Sequence, residues 1–322
     1  MIEPPQTYEF VVPREGQGTR LDRFAAQTLG LSRTELQRWI ASGHVTVDGD
    51  RRPASTTLRE GERVVVQALP PQPARALAEA DVAFAILYVD DDIVILDKPA
   101  GLVVHPARGH QGGTLVNGLL ARGLFQRDEW PAQAGESHGR PGIVHRLDKG
   151  TSGVMVVART ERARERLMAQ FAERSIDRAY EAIVVGEACS RTIATLHGRH
   201  PKDRLRFTTR VLTGKRAVTH VHVLGRLAGA THVECKLETG RTHQIRVQLA
   251  ETGTPVLGDP VYGRPPRDGH VRAVGEALGH QALHAKLLAI THPGSGARMR
   301  FEAPAPDDFA HAIRTLSQSA EA

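Results

Sequence analysis

Between Gly142 and Gly153 the sequence gathers His145, Arg146, Asp148 and Lys149 within five residues. A carboxylate set among cations can act as a nucleophile or as a base. The run that follows, Val154-Met155-Val156-Val157-Ala158, is apolar and β-branched, as a buried strand would be. Gly150 and Gly153 permit tight turns beside it. The polar residues therefore sit on a constrained loop at the mouth of a core strand, where a rigid scaffold commonly holds reactive groups. Taken alone, such a stretch also reads as a capped turn with a solvated arginine. Other chemistries find less support. Gly135-Glu136-Ser137-His138-Gly139 has the spacing of a hydrolase nucleophile, but it is flanked by loop where that elbow needs a strand and a helix. The 16 histidines include no His-Glu-x-x-His, and neither cysteine has zinc-site spacing, so no metal is expected. Gly214-Lys215 is followed by Arg216, not the Ser or Thr of a phosphate-binding loop.

At 322 residues the chain is long enough for two domains. Lys and Arg total 42 against 36 Asp and Glu, a net charge of +6 that permits a polyanionic partner. Only Lys98, Lys149, Lys202, Lys215, Lys236 and Lys286 are lysines, so most cations are arginines, which grip phosphate in a fork and stack on bases. Cys189 and Cys235 make no disulfide framework, which suits a reducing compartment. The N-terminus lacks the basic and apolar segments of a signal peptide, and no run reaches bilayer length. A cytoplasmic protein with no membrane partner is expected.

The elements that must position the loop fall into two parts. Over residues 19–67, Leu21, Phe24, Ala25 and Leu29 recur at helical spacing up to Gly30. Ser32 to Glu35 then reads as a capping box before a second helix carrying Leu36, Trp39 and Ile40. Strands at 45–47 and 64–66 follow, with a turn at Asp48-Gly49. This order resembles the S4 RNA-binding module, and the resemblance implies that Arg33 and Arg38 lie against RNA phosphates. Residues 68–82 turn Pro- and Ala-rich and read as a linker. From 83 to 310 strands alternate with helices. Strands are expected at 85–88, 93–96 and 180–186, helices at 113–120, 161–173 and 243–251, hairpins at 217–225/231–238 and 284–291/297–302, and a closing helix at 307–318. That pattern is an α+β domain with a mainly antiparallel, mixed sheet.

Several blocks recur in a fixed order: Leu96-Asp97-Lys98-Pro99-Ala100-Gly101, the Gly142–Gly153 loop, Leu237-Glu238-Thr239-Gly240-Arg241-Thr242-His243-Gln244-Ile245-Arg246, Gly258-Asp259-Pro260-Val261-Tyr262-Gly263, and Ala282-Leu283-His284-Ala285. In these the chain resembles the RluA-type pseudouridine synthases that carry an N-terminal S4 module. The likeness runs from about residue 84 to about 310. It implies a cofactor-independent isomerase that converts uridine in RNA to pseudouridine. Large-subunit ribosomal RNA is the implied substrate, free or in a pre-ribosomal particle, with the stem-loop at the subunit interface as target and a monomeric enzyme.

Carried over residue by residue, the resemblance makes Asp148 the catalytic aspartate and Arg246 its ion-pair partner. Tyr180 is the active-site tyrosine, able to stack on uracil and to take the C5 proton. Arg146, His145 and Arg241 are implied to contact RNA, Arg146 by filling the gap left when uridine flips out of its stack. Burial raises a carboxylate pKa, so a neighbouring cation must keep Asp148 ionised. The basic run Arg199, Lys202, Arg204, Arg206, Arg210, Lys215 and Arg216 suggests a groove for RNA backbone. Arg20-Leu21-Asp22 repeats the tripeptide Arg146-Leu147-Asp148 without the residues that follow it, so the tripeptide alone carries no function. A sibling synthase acting on other ribosomal or transfer RNA uridines, or an assembly factor that binds RNA without chemistry, is the alternative. The presence of Asp148, Tyr180 and Arg246 together favours the enzyme.

Overall fold

The computed structural model describes residues 7–31, 33–68, 77–105, 112–125, 142–203 and 205–318, with Thr34 and Glu35 described only as backbone. The Ser32 capping box, most of the 68–82 linker, the Gly135–Gly139 motif and Arg204 lie outside the described residues. The chain divides into two units, residues 1–74 and 75–322.

In the first unit α1 (Leu21–Leu29) stops at Gly30, whose φ of 66° is open to glycine and costly to other residues. Helix α2 (Arg33–Ala41) follows. Three strands complete the unit: β1 (Thr7–Val11), β2 (Val45–Val47) and β3 (Arg63–Gln67), in the order β1-β3-β2. Strand β1 was not expected. Its inward Tyr8 and Phe10 are only half-buried, and it pairs along the whole of β3. Leu21, Phe24, Leu36, Trp39 and the inward valines of β2 and β3 form the core. Asp22 is buried within it and accepts hydrogen bonds from Arg20, from Arg33 Nε at 3.0 Å and from Gln37 Nε2 at 2.7 Å. Burial alone would raise its carboxyl, but these donors hold it well below the usual carboxylate range.

The second unit is built on a ten-stranded sheet. Its elements in chain order are β4 (Ala85–Val89), β5 (Ile93–Lys98), α3 (Leu115–Ala121), β6 (Ser152–Ala158), α4 (Glu161–Glu173), β7 (Asp177–Val185), β8 (Arg191–Arg199), β9 (Phe207–Thr208) and β10 (Lys215–Leu227). Then come β11 (Ala230–Leu237), α5 (Gln244–Glu251), α6 (Gly269–Leu278), β12 (Leu283–Thr291), β13 (Arg298–Glu302) and α7 (Asp307–Gln318). The strand order is β4-β5-β6-β12-β7-β11-β10-β8-β9, with β13 on β12. Every pairing is antiparallel except β6 with β12. The α+β reading with a mainly antiparallel sheet holds.

Strand β6 is buried along its whole length, as its unbroken apolar run requires. In this unit three elements escaped the sequence. In β8 only Ile193 and His197 are buried, so no apolar alternation announces it, and β9 is two residues long. Helix α6 carries two glycines and forms on the cap that Asp268 gives to the His270 and Val271 amides. Helix α5 falls where the sequence places a helix. It is not amphipathic but enclosed, with Gln244, Arg246 and Gln248 all buried. Its amides are satisfied inside: Gln244 Nε2 donates to Val218 O and Thr219 Oγ1, and Thr219 Oγ1 donates to Gln248 Oε1.

Candidate active site

Asp148 sits on the loop entering β6, and backbone contacts fix that loop. Ile143 bridges to Val157, and the Val156 N–H donates to His145 Nε2 at 3.1 Å. Gly153 takes a φ of 115°, and a Cβ there would lie 2.2 Å from Ala285 O on β12. Gly150 answers a different need, since its φ is ordinary and a Cβ would meet Gln281 Oε1 at 2.3 Å.

Beneath the loop lies Lys98, among the largest fully buried side chains. Its Nζ donates to Pro99 O at 2.8 Å, Leu102 O at 2.9 Å and Lys149 O at 3.3 Å, tying the end of β5 to the residue after Asp148. Burial pulls its pKa from 10.5 down to about 7 against the opposing pull of Asp148 and Asp97. Between about pH 7 and 10.5 the unfolded chain therefore holds a proton that the folded chain has lost, and stability rises with pH. Urea unfolding across that window is expected to show a rise of up to about 1.4 kcal/mol per pH unit that Lys98→Met removes. An identical slope in the variant would exclude this origin.

The carboxylate of Asp148 is 17% exposed, and Arg246 behind it 4%. Arg246 Nη1 donates to Asp148 Oδ2 at 2.8 Å. Its other face is gripped by Asp259, with Nε to Oδ2 at 2.7 Å and Nη2 to Oδ1 at 2.8 Å. Asp259 also accepts the amides of Val261 and Tyr262. Burial pushes the Asp259 carboxyl up, but Arg246 and these amides bring it below its ordinary value. Burial likewise works against the Arg246 charge, and the two carboxylates more than compensate. Among the described residues Asp148 Oδ1 receives no such bond; His243 Nε2 stands 3.8 Å from it.

Tyr180 on β7 shares a cavity of about 370 Å3 with Asp148. Such a volume falls in the range of small-molecule sites. Arg146, Arg174, Arg178 and Arg241 also line it, so the mouth is strongly cationic. A narrower recess of about 60 Å3 continues past Asp148 to Arg246 and Leu283. Burial raises the Tyr180 phenol, Arg178 opposes this and Asp148 adds to it, so Tyr180 keeps its proton at neutral pH.

Of the residues expected from sequence, Asp148, Arg246, Tyr180, Arg146, Arg241 and His145 meet around this cavity. His145 has a structural duty as well: its Nε2 is committed to β6, it stacks on Phe171 at 4.8 Å, and burial and Arg178 lower its pKa to about 3. Arg33 and Arg38 lie on α2 of the first unit, where Arg33 ties to Asp22. Several members of the basic run have local partners. Arg199 lies over Phe207, Arg206 over Tyr262 at 5.3 Å, and Arg216 pairs with Glu238. Sequence reasoning gave no role to Asp259, Arg178, His243 or Tyr262, although three of them stand inside the quoted blocks. Among the described residues Arg178 Nε is buried without a hydrogen-bond partner, beside both the cavity and Phe171.

Among the described residues no three His, Cys, Asp or Glu side chains are grouped to hold a metal ion, and no helix is long and apolar enough to cross a membrane.

Residues 92–251 match the RNA pseudouridylate synthase family and residues 19–64 the S4 domain. A Pseudomonas aeruginosa protein named ribosomal large subunit pseudouridine synthase D is 44% identical over 319 residues, covering 97% of this chain and 96% of its own. A Xanthomonas campestris protein of the same name is 43% identical, covering 96% and 92%. Among solved structures, human RNA pseudouridylate synthase domain containing 4 is similar with a TM-score of 0.56 and 26% identity, over 72% of this chain and 92% of that one.

Proposed function

The chain belongs to the RNA pseudouridylate synthase family, and from that premise we propose that it modifies large-subunit ribosomal RNA with Asp148 as the reacting group. As a member of the family it isomerises uridine in RNA to pseudouridine. The N1–C1′ bond breaks, C5 joins C1′, C5 loses a proton and N1 gains one, with no redox change. The observation that carries the reading is the carboxylate of Asp148, anchored through one oxygen and open through the other, facing Tyr180 in a cationic cavity.

Asp148 then attacks C1′, or removes the proton whose loss starts elimination. Arg246 holds it through Oδ2. Tyr180 offers its ring to the uracil face, and its raised phenol stays protonated at neutral pH, so the neutral hydroxyl meets the base. The arginines at the mouth hold backbone phosphates on either side of the flipped nucleotide.

Large-subunit RNA as the substrate is supported by the names of the relatives and by the S4 unit. The finer target, the stem-loop at the subunit interface, rests on the sequence resemblance. Incubation of purified protein with unmodified ribosomal and transfer RNA, followed by carbodiimide labelling and reverse transcription, tests both. Stops in that stem-loop are expected. Stops elsewhere in ribosomal RNA would move the target, and stops in transfer RNA alone would overturn the substrate.

A further inference from the structure

Behind the open oxygen of Asp148 stands a chain of polar contacts that runs through His243 and Tyr262 to the Phe207 amide. The Phe207 N–H donates to the Tyr262 hydroxyl oxygen at 2.9 Å. That hydroxyl lies 2.9 Å from His243 Nδ1. Burial pushes the Tyr262 phenol up, while the Phe207 amide and Arg246 pull it down and Asp259 and Asp148 add to the rise; the net effect is upward, so the phenol keeps its proton. Phe207 occupies one acceptor site of the hydroxyl, and its single hydrogen has His243 Nδ1 within reach, so we take the hydroxyl as donor to that nitrogen. His243 is held neutral by burial, with Arg246 and Arg146 lowering its pKa further and Asp148 and Asp259 opposing them. A neutral imidazole that accepts at Nδ1 carries its hydrogen on Nε2. That Nε2 is the atom facing Asp148 Oδ1 at 3.8 Å.

The backbone points the same way. His243 has φ 58° and ψ 20°, a left-handed conformation that is costly for a side chain with a Cβ. It stands immediately before α5, and its ring meets both Phe207 and Tyr262 at a steep angle, with Nε2 on the side of Asp148. A separation of 3.8 Å is longer than a hydrogen bond, as apo active sites often show before substrate closes them.

We infer that His243, with Tyr262 fixing its tautomer, is a positioning residue for the isomerisation, presenting Nε2–H to Asp148 Oδ1 and fixing that oxygen's direction toward the flipped uridine. Arg246 holds one oxygen of the carboxylate and His243 orients the other. This rests on Asp148 being the reacting group.

Two measurements on the full chain test it. Nitrogen-15 spectra of histidine-labelled protein at neutral pH are expected to show the Nε2–H tautomer for the ring whose signals vanish in His243→Gln. In Tyr262→Phe that ring is expected to shift toward a mixture of tautomers. An Nδ1–H or doubly protonated ring in the wild type would overturn the inference. Single-turnover tritium release from a large-subunit RNA transcript made with 5-tritiated uridine gives the second readout. His243→Ala is expected to lower the rate constant about 10- to 100-fold with the half-saturating RNA concentration unchanged. His243→Gln, whose amide nitrogen reaches the position of Nε2, is expected to recover most of that loss. All share the same left-handed backbone site, so strain does not distinguish them. Equal losses in both variants, or a change in RNA affinity alone, would overturn the role. A dead Asp148→Asn beside an unimpaired His243→Ala removes this inference only, whereas an active Asp148→Asn removes the reading beneath it.

Discussion

Asp148→Asn abolishes tritium release, by at least about 10^4-fold, and leaves RNA binding close to wild type. Asparagine keeps the shape of aspartate and can still accept from Arg246 through its amide oxygen, so the loop and the cavity wall persist. What it lacks is the anion, whether that anion attacks C1′ or takes a proton. The fold tolerates the change because Arg246 retains both hydrogen bonds to Asp259. The measurement is a single-turnover rate beside a filter-binding isotherm on the same transcript. Turnover within tenfold of wild type would remove Asp148 from the chemistry.

Arg246→Met carries the second large effect, and it is twofold. Asp259, with a fully buried side chain, is left as an uncompensated charge, which costs about 3–5 kcal/mol. Asp148 loses the cation bound to Oδ2 at 2.8 Å, which is expected to slow the reaction about 10^2- to 10^3-fold. The two effects separate in the double variant Arg246→Met/Asp259→Met. Replacing both buried charges with apolar side chains restores much of the urea midpoint. Turnover stays low, because the second substitution returns nothing to Asp148. Recovery of both together would mean that Arg246 acts only through stability. Arg246→Lys is not conservative here, since an ammonium carries its three N–H donors on one nitrogen and cannot replace the planar fork whose Nε and Nη2 meet Asp259 while Nη1 meets Asp148.

The contrast between Asp22 and Asp148 shows how far the sequence could be read. Both close an Arg-Leu-Asp tripeptide and both are held by arginines. Asp22 is fully buried, and its oxygens accept from Arg20, Arg33 and Gln37. Asp148 keeps one oxygen for something else. The tripeptide alone does not carry this difference; the residues that follow it and the order of the later blocks do. Elements with strong patterns were legible for the same local reason: the apolar run of β6, the polar helix α4, and the hairpins of β10 with β11 and β12 with β13. Strand β8 was not, because a polar strand held on both sides by partners has no need of its own apolar face. Contacts such as that of Asp148 with Arg246, 98 residues apart, are invisible to periodicity. They entered the sequence reading only through family resemblance. The roles of Asp259, His243 and Tyr262 needed coordinates, because each depends on which atom of a neighbour is already engaged.

The single parallel pairing in the sheet also sets a clock. Strands β4, β5 and β6 form one stack and β7 to β11 another, and β12 alone pairs with both. Asp148 enters the first stack, while Tyr180 lies in the second and Arg246 follows it in sequence. As the chain leaves the ribosome, neither stack has a strand in common with the other until residues 283–291 have been made. At about 5–20 residues per second, Asp148 waits roughly 7–30 s for the strand that completes its surroundings. A nascent chain therefore carries its S4 unit early, whereas the surroundings of Asp148 are complete only once β12 has been made.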